Sequence, residues 1–178
     1  MTASNTLYKY RSAGRLPWEL EFPGLLRIVY FQFQTVEEAD SLAEYLSSLY
    51  PVERQNLTKL GLNEIFINAI EHGNLGITAA EKINLKKTNL WHEEFKQRFA
   101  HPVNSLKTVW IVVEVTPSYI RTRIKDEGQG FDWQSFDTLY ASSMERGGRG
   151  LLLAKELCFD KIEFSAKGNE VCCISYLN

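Results

Sequence analysis

Three short motifs, separated by long stretches of chain, constrain the fold of this sequence more than any other feature. The first is the helix-periodic segment 62–74 (LNEIFINAIEHGN). The second, 126–131 (DEGQGF), directly follows a strand-like run, and the third, 145–151 (ERGGRGL), opens another helical pattern. The last two place glycines at junctions between elements, where the backbone must turn or be approached closely. A fold that joins one helix face to two glycine turns would create a site with a carboxylate, a carboxamide and arginines.

The spacing of hydrophobic residues in the first half of the chain predicts a strand followed by two helices. Residues 25–33 are rich in branched and aromatic side chains, which favours a strand. Thr35 and Glu38 have the spacing of a capping box at the start of the first helix. The apolar stripe of this helix comprises Ala39, Leu42, Ala43 and Leu46. The second helix runs from about 52 to Gly73, because glycine often ends helices.

The second half of the chain is dominated by strand patterns. We predict strands at 108–115, 119–125, 161–165 and 171–176, with a helix over 150–158. The first two strands are joined by a short Thr-Pro-Ser turn and the last two by Lys-Gly-Asn, so each pair forms a hairpin. We therefore predict an α+β two-layer sandwich, with helices on one face of a mixed, mainly antiparallel sheet.

The chain divides into a short arm and one domain. Residues 1–24 contain two prolines as breakers and predict an arm or irregular lead-in, whereas 25–178 form the domain. Residues 75–104 have a helical but more polar pattern, which we interpret as a helical insertion of unassigned role. The aromatic residues of this insertion, Trp91, Phe95 and Phe99, recur at i, i+4 and i+8 and can pack on one face.

Composition excludes several classes of function. The net charge of −2 gives no strong attraction to nucleic acid or to an anionic membrane. No apolar run approaches the ~20 residues of a membrane span, and the polar N-terminus lacks the apolar centre of a signal peptide. The cysteines Cys158, Cys172 and Cys173 lack metal-ligand spacing and predict buried, reduced thiols. We therefore expect a cytoplasmic protein that binds neither nucleic acid nor membrane.

The first motif places two polar groups side by side. On a helix, the core stripe comprises Leu62, Ile65, Phe66, Ala69 and Gly73. Glu64 and Asn68, at i and i+4 on the adjoining side, can reach one point. There a carboxylate can accept a proton from an attacking hydroxyl, and an amide oxygen can bind Mg²⁺. From this helix alone, the solvated polar side of an amphipathic helix is the favoured interpretation, and His72 alone is typical of a polar helix end.

The second motif combines a carboxylate with flexible backbone. Asp126 can accept a hydrogen bond from the exocyclic amine of adenine, and Gly128 and Gly130 allow close approach of a ligand. The motif alone is also found in ordinary turns and cation loops. Phe131 and Trp133 disfavour a calcium loop, because they are apolar where oxygen ligands are needed.

The third motif is typical of a phosphate site. A helix N-terminus near Gly150 presents free amides and the positive end of its dipole. Arg146 and Arg149 add cationic donors, although a flexible loop with two solvated arginines is the alternative. The turn formers that dominate 131–149 predict a mobile loop. The pattern is neither a Walker loop nor a dinucleotide fingerprint.

Taken together, the three motifs resemble the nucleotide-binding boxes of the GHKL superfamily of ATPases and kinases. The resemblance covers about residues 25–177, and the most similar branch is the anti-sigma-factor serine/threonine kinases. It implies a Bergerat-type, histidine-kinase-like ATP-binding domain that uses ATP and Mg²⁺. By position, Glu64 looks like the general base, Asn68 like the Mg²⁺ ligand and Asp126 like the adenine reader.

The same resemblance assigns further nucleotide contacts and a lid over 132–147. The remaining expected contacts are His72, Gly128, Gly130, Arg146, Gly148, Arg149 and Gly150. Arg146 matches a lid arginine near the γ-phosphate, and Gly148 and Gly150 match the phosphate-binding turn. One departure concerns 168–171, where the family often has a threonine that assists at the adenine.

The resemblance implies a kinase in a partner-switching circuit. Its phosphoacceptor would be an antagonist protein, a small STAS-type domain, with a sigma factor as an optional partner and a homodimer left open. The alternative is an ATP-binding interaction module without phosphotransfer. A histidine autokinase is disfavoured, because His72, His92 and His101 all lie at or after the first motif.

Overall fold

The computed structural model describes residues 18–22, 26–134 and 149–177, and describes side chains over 27–134 and 150–177. The predictions for Arg146, for Gly148 and for most of the lid concern residues outside these ranges.

A six-stranded sheet with the order β1-β2-β3-β4-β6-β5 forms one layer of the domain. The strands are β1 Trp18–Phe22, β2 Leu26–Phe33, β3 Val109–Val115, β4 Tyr119–Lys125, β5 Lys161–Phe164 and β6 Glu170–Tyr176. Helices cover one face of this sheet, so the predicted α+β two-layer fold is confirmed.

The described sheet is antiparallel throughout, whereas we predicted a mixed sheet. The difference arises in the crossover from β4 to β5. These two strands run in the same direction, as a helical crossover favours, but β6 lies between them and pairs antiparallel with both. The closing hairpin therefore removes the parallel pair that the alternation of helices and strands predicted.

The helices are α1 Val36–Ser47, α2 Val52–Asn68, α3 Ala79–Lys87, α4 Trp91–Ala100 and α5 Arg149–Leu153. Two π-helical segments, Ala69–Asn74 and Ala154–Cys158, continue α2 and α5, and a 3₁₀ turn covers Asn104–Leu106. The predicted capping box of α1 is confirmed: Thr35 Oγ1 accepts a hydrogen bond from Glu38 N at 3.2 Å, and Glu38 Oε2 accepts one from Thr35 N.

The core lies between the sheet and helices α1, α2 and α5. The rings of Phe33 on β2 and Phe66 on α2 are fully buried, with their centroids 5.0 Å apart. Cys173 is buried on the inner face of β6, as we predicted, whereas Cys172 is only half-buried, because successive residues of a strand point to opposite faces. In the part of the chain that the structure describes, no helix is long and apolar enough to cross a membrane.

One prediction about element bounds is wrong. Trp18–Phe22, which we assigned to an irregular lead-in, forms the edge strand β1 against β2. In the sequence this strand lies between Pro17 and Pro23, and prolines beside a run do not exclude it from a sheet edge. The second helix extends to about Gly73, as predicted, but α2 ends at Asn68 and the π-helical segment Ala69–Asn74, called the π-turn below, continues it.

The predicted helical insertion is formed by α3 and α4. The aromatic residues Trp91, Phe95 and Phe99 form one row on α4 and pack against the edge of the core. The rings of Phe95 and Phe99 are stacked, with their centroids 6.3 Å apart. The insertion is therefore attached to the domain and follows directly on the π-turn.

Candidate functional site

The carboxylate of Glu64 lies directly against the first turn of α5. A Cβ built on Gly150 would be 1.8 Å from Glu64 Oε2, so only glycine allows this approach. Glu64 is half-buried on α2. The structure thus joins the first motif to the third.

Asn68 is the last residue of α2, one turn beyond Glu64, and is also half-buried. Within the described ranges, neither side chain makes a hydrogen bond to another residue, so a carboxylate and a carboxamide are available to a ligand. His72 lies farther along, in the π-turn, with an exposed ring whose Nδ1 contacts the carbonyl oxygen of Ile77. That contact occupies one ring nitrogen of His72, and its role in nucleotide binding stays a prediction.

The π-turn brings the first motif to the second. Its widened geometry is marked by the hydrogen bond from Leu75 N to the oxygen of Ile70, five residues back, at 2.9 Å. A Cβ built on Gly73 would be 2.3 Å from Asp126 Cγ, and one on Gly128 would be 2.3 Å from the oxygen of Gly73. Gly73, which we assigned to the core stripe, instead forms a wall of the candidate site, because the π-turn changes the rotation per residue.

Asp126 is held by its own turn. The Gly128 N–H donates to Asp126 Oδ1 at 2.8 Å, and no other residue in the described ranges donates to this carboxylate. Burial raises the pKa of Asp126 above its ordinary value, against the lowering effects of the Gly128 hydrogen bond and of Lys167. The half-buried carboxylate therefore has one oxygen available as a hydrogen-bond acceptor.

Asn74 links the two motifs, and sequence reasoning did not single it out. Its buried side chain accepts a hydrogen bond from Glu127 N at 2.9 Å, and its carbonyl oxygen accepts one from Lys107 Nζ at 2.7 Å. Glu127 Oε1 in turn accepts from Thr108 N at 3.0 Å. The sequence signal for Asn74 was its position directly after Gly73 in the first motif. Its hydrogen-bond partner, Glu127, lies 53 residues away, so no local pattern identifies this pair.

The β5–β6 turn supports the far side of the Asp126 turn. Gly130 has a φ of 81°, and a Cβ there would be 1.9 Å from the oxygen of Lys167. Lys167 Nζ donates to the oxygen of Gly128 at 3.0 Å, and Asn169 Nδ2 donates to the oxygen of Asp126 at 3.2 Å. Asn169 lies in the segment 168–171, where we noted the departure from the resembling family's threonine, and it holds the backbone of the Asp126 turn.

The three motifs form one elongated site along α2 and the π-turn. Gly73 lies nine positions after Glu64, at most roughly 13 Å along the axis at the α-helical rise per residue. The Glu64 end has a helix N-terminus and a carboxamide, which suit phosphates and a cation, while the Asp126 end has a half-buried acceptor, which suits a base amine. Within the described ranges, no group of three or more His, Cys, Asp or Glu side chains forms a metal cage. A cation here would need ligands from phosphate, as Mg²⁺ bound to a nucleotide has.

The described backbone of Arg149 and Gly150 opens α5 at the Glu64 end. The predicted phosphate turn extends to Gly148 and the predicted lid arginine is Arg146, and both stay predictions.

Comparison with protein families gives a match over most of the chain. The family described as the histidine kinase-like ATPase domain matches residues 34–174, which is well over half of the chain. The matched range contains all three motifs, strands β3, β4 and β5, and most of β6. No curated protein matches the chain. The chain therefore belongs to the histidine kinase-like ATPase domain family, whose GHKL-type domains bind ATP.

Proposed function

We propose that this histidine kinase-like ATPase domain is an ATP-dependent serine/threonine protein kinase of the anti-sigma-factor type. Its acceptor would be a serine or threonine hydroxyl on a small STAS-type antagonist protein in a partner-switching circuit. The observation that carries the proposal is the position of Glu64. Its carboxylate lies against Gly150, at the phosphate end of the site and one helical turn from Asn68. A base is needed there for transfer to a hydroxyl, whereas binding alone needs none.

Each residue has one task in the proposed reaction. Asp126 accepts a hydrogen bond from the adenine amine, and the amides at the start of α5 face the phosphates. Asn68 would hold Mg²⁺, which neutralises the charge on the phosphate oxygens. The hydroxyl oxygen of the acceptor protein forms a bond to the γ-phosphorus, and Glu64 accepts the proton of that hydroxyl. The bond from that phosphorus to the β–γ bridging oxygen breaks, and ADP leaves with that oxygen.

The proposal includes two arginines. Arg146 and Arg149 would donate charge-assisted hydrogen bonds to the γ-phosphate, which ATP has and ADP lacks. Differential binding of the two nucleotides would then change the affinity for the protein partner. The sequence order of the motifs and the family match support this assignment.

The decisive variant is Glu64→Gln, which keeps the shape and hydrogen bonding of the side chain but cannot take a proton. We expect ATP binding within about twofold of wild type, with transfer to the antagonist protein slower by roughly 10²-fold or more. The measurement is single-turnover transfer from labelled ATP to antagonist proteins encoded beside this gene. Glu53→Gln, an exposed carboxylate in the first turn of the same helix, is the matched control and should transfer at the wild-type rate.

The alternative function gives a different result in the same assay. An ATP-binding interaction module would bind an antagonist protein tightly, yet wild type would transfer no phosphate to it. Equal transfer rates in wild type and Glu64→Gln would remove Glu64 from the chemistry and leave the kinase proposal without its base.

A further inference from the structure

The π-turn next to the adenine end carries a buried charge. Glu71 lies in this turn and is only 6% exposed. Its carboxylate forms an ion pair with Lys82 Nζ, from the first turns of α3 in the insertion. A buried carboxylate without its partner is costly to keep in place as a charge, and moving it out to water would open the turn.

Lys82 is itself held in place. Its ammonium lies 5.5 Å from the centroid of the Trp91 ring, the residue that begins α4. Trp91 packs on Phe95, with 6.0 Å between ring centroids, and both rings rest against the core. The cation is therefore positioned by the whole insertion and not by its own flexible stem.

A second cation from the insertion reaches the segment just after the π-turn. Arg98 on α4 donates to the carbonyl oxygen of Gly76 at 3.0 Å. Glu81 and Glu94 fix the guanidinium at 2.8 and 2.6 Å. The backbone of Ile77 then returns to the turn, where its N–H donates to the oxygen of Glu71 at 2.9 Å. The insertion thus contacts the π-turn at Glu71 and the chain just after it at Gly76.

The π-turn held by these contacts is also the segment that touches the adenine end of the site. Gly73, two residues after Glu71, lies in contact with the Asp126 carboxylate, and its carbonyl oxygen lies against Gly128. These contacts are so close that no side chain fits between them. A shift of the turn by a fraction of an ångström would therefore displace Asp126 or open a gap beside it.

We propose that Lys82 is a positioning residue for nucleotide binding, and that the helical insertion is a brace that holds Gly73 against Asp126. This inference rests on the adenine-binding part of the proposed function and is independent of phosphotransfer. It assigns a role to a segment with no residue in the three motifs. Because the brace acts at the adenine end, it should affect ATP and ADP equally and leave the Glu64 end unchanged.

The test compares Lys82→Met with Lys86→Met. Lys86 lies on the same helix and its ammonium is also near the Trp91 ring, at 5.9 Å, but it is exposed and makes no ion pair in the described part of the chain. We expect Lys82→Met to weaken ATP and ADP by the same factor, about threefold to thirtyfold, the range of coupling through packed networks. Lys86→Met should bind both nucleotides like wild type. Calorimetry with Mg²⁺·ATP and with ADP gives these affinities.

Rescue variants separate positioning from a general loss of stability. Lys82→Arg keeps the cation and should stay within about threefold of wild type. In the double variant Glu71→Gln/Lys82→Met no buried charge is left unpaired, so the turn should stay closed and most of the affinity should return. If Lys82→Met does not fold, Lys82→Arg and the double variant still test the inference. Hydrogen exchange of 69–77 should be faster in Lys82→Met and near wild type in the double variant.

Three results would overturn the inference. One is wild-type affinity in folded Lys82→Met, even with faster exchange at 69–77, since the pair would then be only structural. Another is a loss of ATP affinity with unchanged ADP affinity, which would place the effect at the phosphates. The third is a double variant as weak as Lys82→Met. Absence of phosphotransfer in wild type would contradict the kinase proposal alone, because the Lys82 test measures only binding.

Discussion

Asp126 shows how burial of a single residue can couple ligand binding to pH. Its carboxyl group has a raised pKa because it is partly buried. Only in the ionised form can both oxygens accept hydrogen bonds, one from Gly128 N–H and one from the adenine amine. Adenine nucleotides should therefore bind best above this raised pKa. As pH falls through it, the protonated form should dominate and affinity should decrease.

This dependence can be measured by titrating ADP into the protein over a falling pH series. We expect the decrease to begin at a higher pH than an ordinary aspartate would give. The side chain in Asp126→Asn does not exchange a proton in this range. The pH dependence of ADP affinity in this variant therefore reports only the protonation of ADP and of other groups. The same dependence of ADP affinity on pH in wild type and variant would contradict the assignment of Asp126 to the site.

The chemical groups of the site were predictable from single residues, but their contacts were not. Glu64 and Asn68 share a helix face by spacing alone, and the structure leaves both half-buried on α2. The contacts of Gly73 with Asp126 and of Asn74 with Glu127 join residues about fifty positions apart. Such pairings depend on the tertiary fold, and no local period contains them.

At the scale of elements, α2 and its π-turn have two separate glycine contacts, and each serves a different end of the site. A Cβ at Gly150 would strike the Glu64 carboxylate, while a Cβ at Gly73 would strike Asp126. We expect Gly150→Ala to slow phosphotransfer by roughly tenfold or more, the effect of a misplaced general base, with ADP affinity retained. We expect Gly73→Ala to weaken ADP binding most.

The two glycine variants control for each other, since each adds one methyl group to the same site. Transfer rates at saturating ATP and calorimetric ADP affinities should show opposite patterns in the two proteins. Melting temperatures identify any general loss of stability. If both variants lost binding and transfer in the same proportion, the separation of an adenine end from a phosphate end would be wrong.

Regular elements were predictable where local chemistry decides them. The capping box of α1, the insertion helices and both hairpins follow from caps, periods and turn residues, and the structure contains all of them. The π-turn was not predictable, because Glu71 and Ile77 hold it through contacts with the insertion and the following loop. Strand β1 was missed because prolines flank a run of only five residues.

At the scale of the whole molecule, the topology explains why three distant motifs meet. The strand that precedes Asp126 lies at the centre of the sheet, and α2 packs across the inner face beside it. The chain then returns through α5, whose first turn reaches Glu64, before β5 and β6 complete the sheet. Motifs that are far apart in the sequence therefore meet along α2 and the π-turn, where we propose an adenine end at Asp126 and a phosphate end at Glu64.

The central claim, that these motifs form one adenine nucleotide site, is tested most directly by the base preference of Asp126→Asn. Because Gly128 N–H donates to Oδ1, the amide oxygen of the variant side chain should take that position and turn its NH₂ toward the base. Wild type should prefer ATP to GTP, whose base has a carbonyl oxygen in place of the amine. By calorimetry we expect the variant to lose about tenfold or more in ATP affinity, about 1.4 kcal/mol, with a much smaller change for GTP. Equal ATP affinity in wild type and variant would contradict the account.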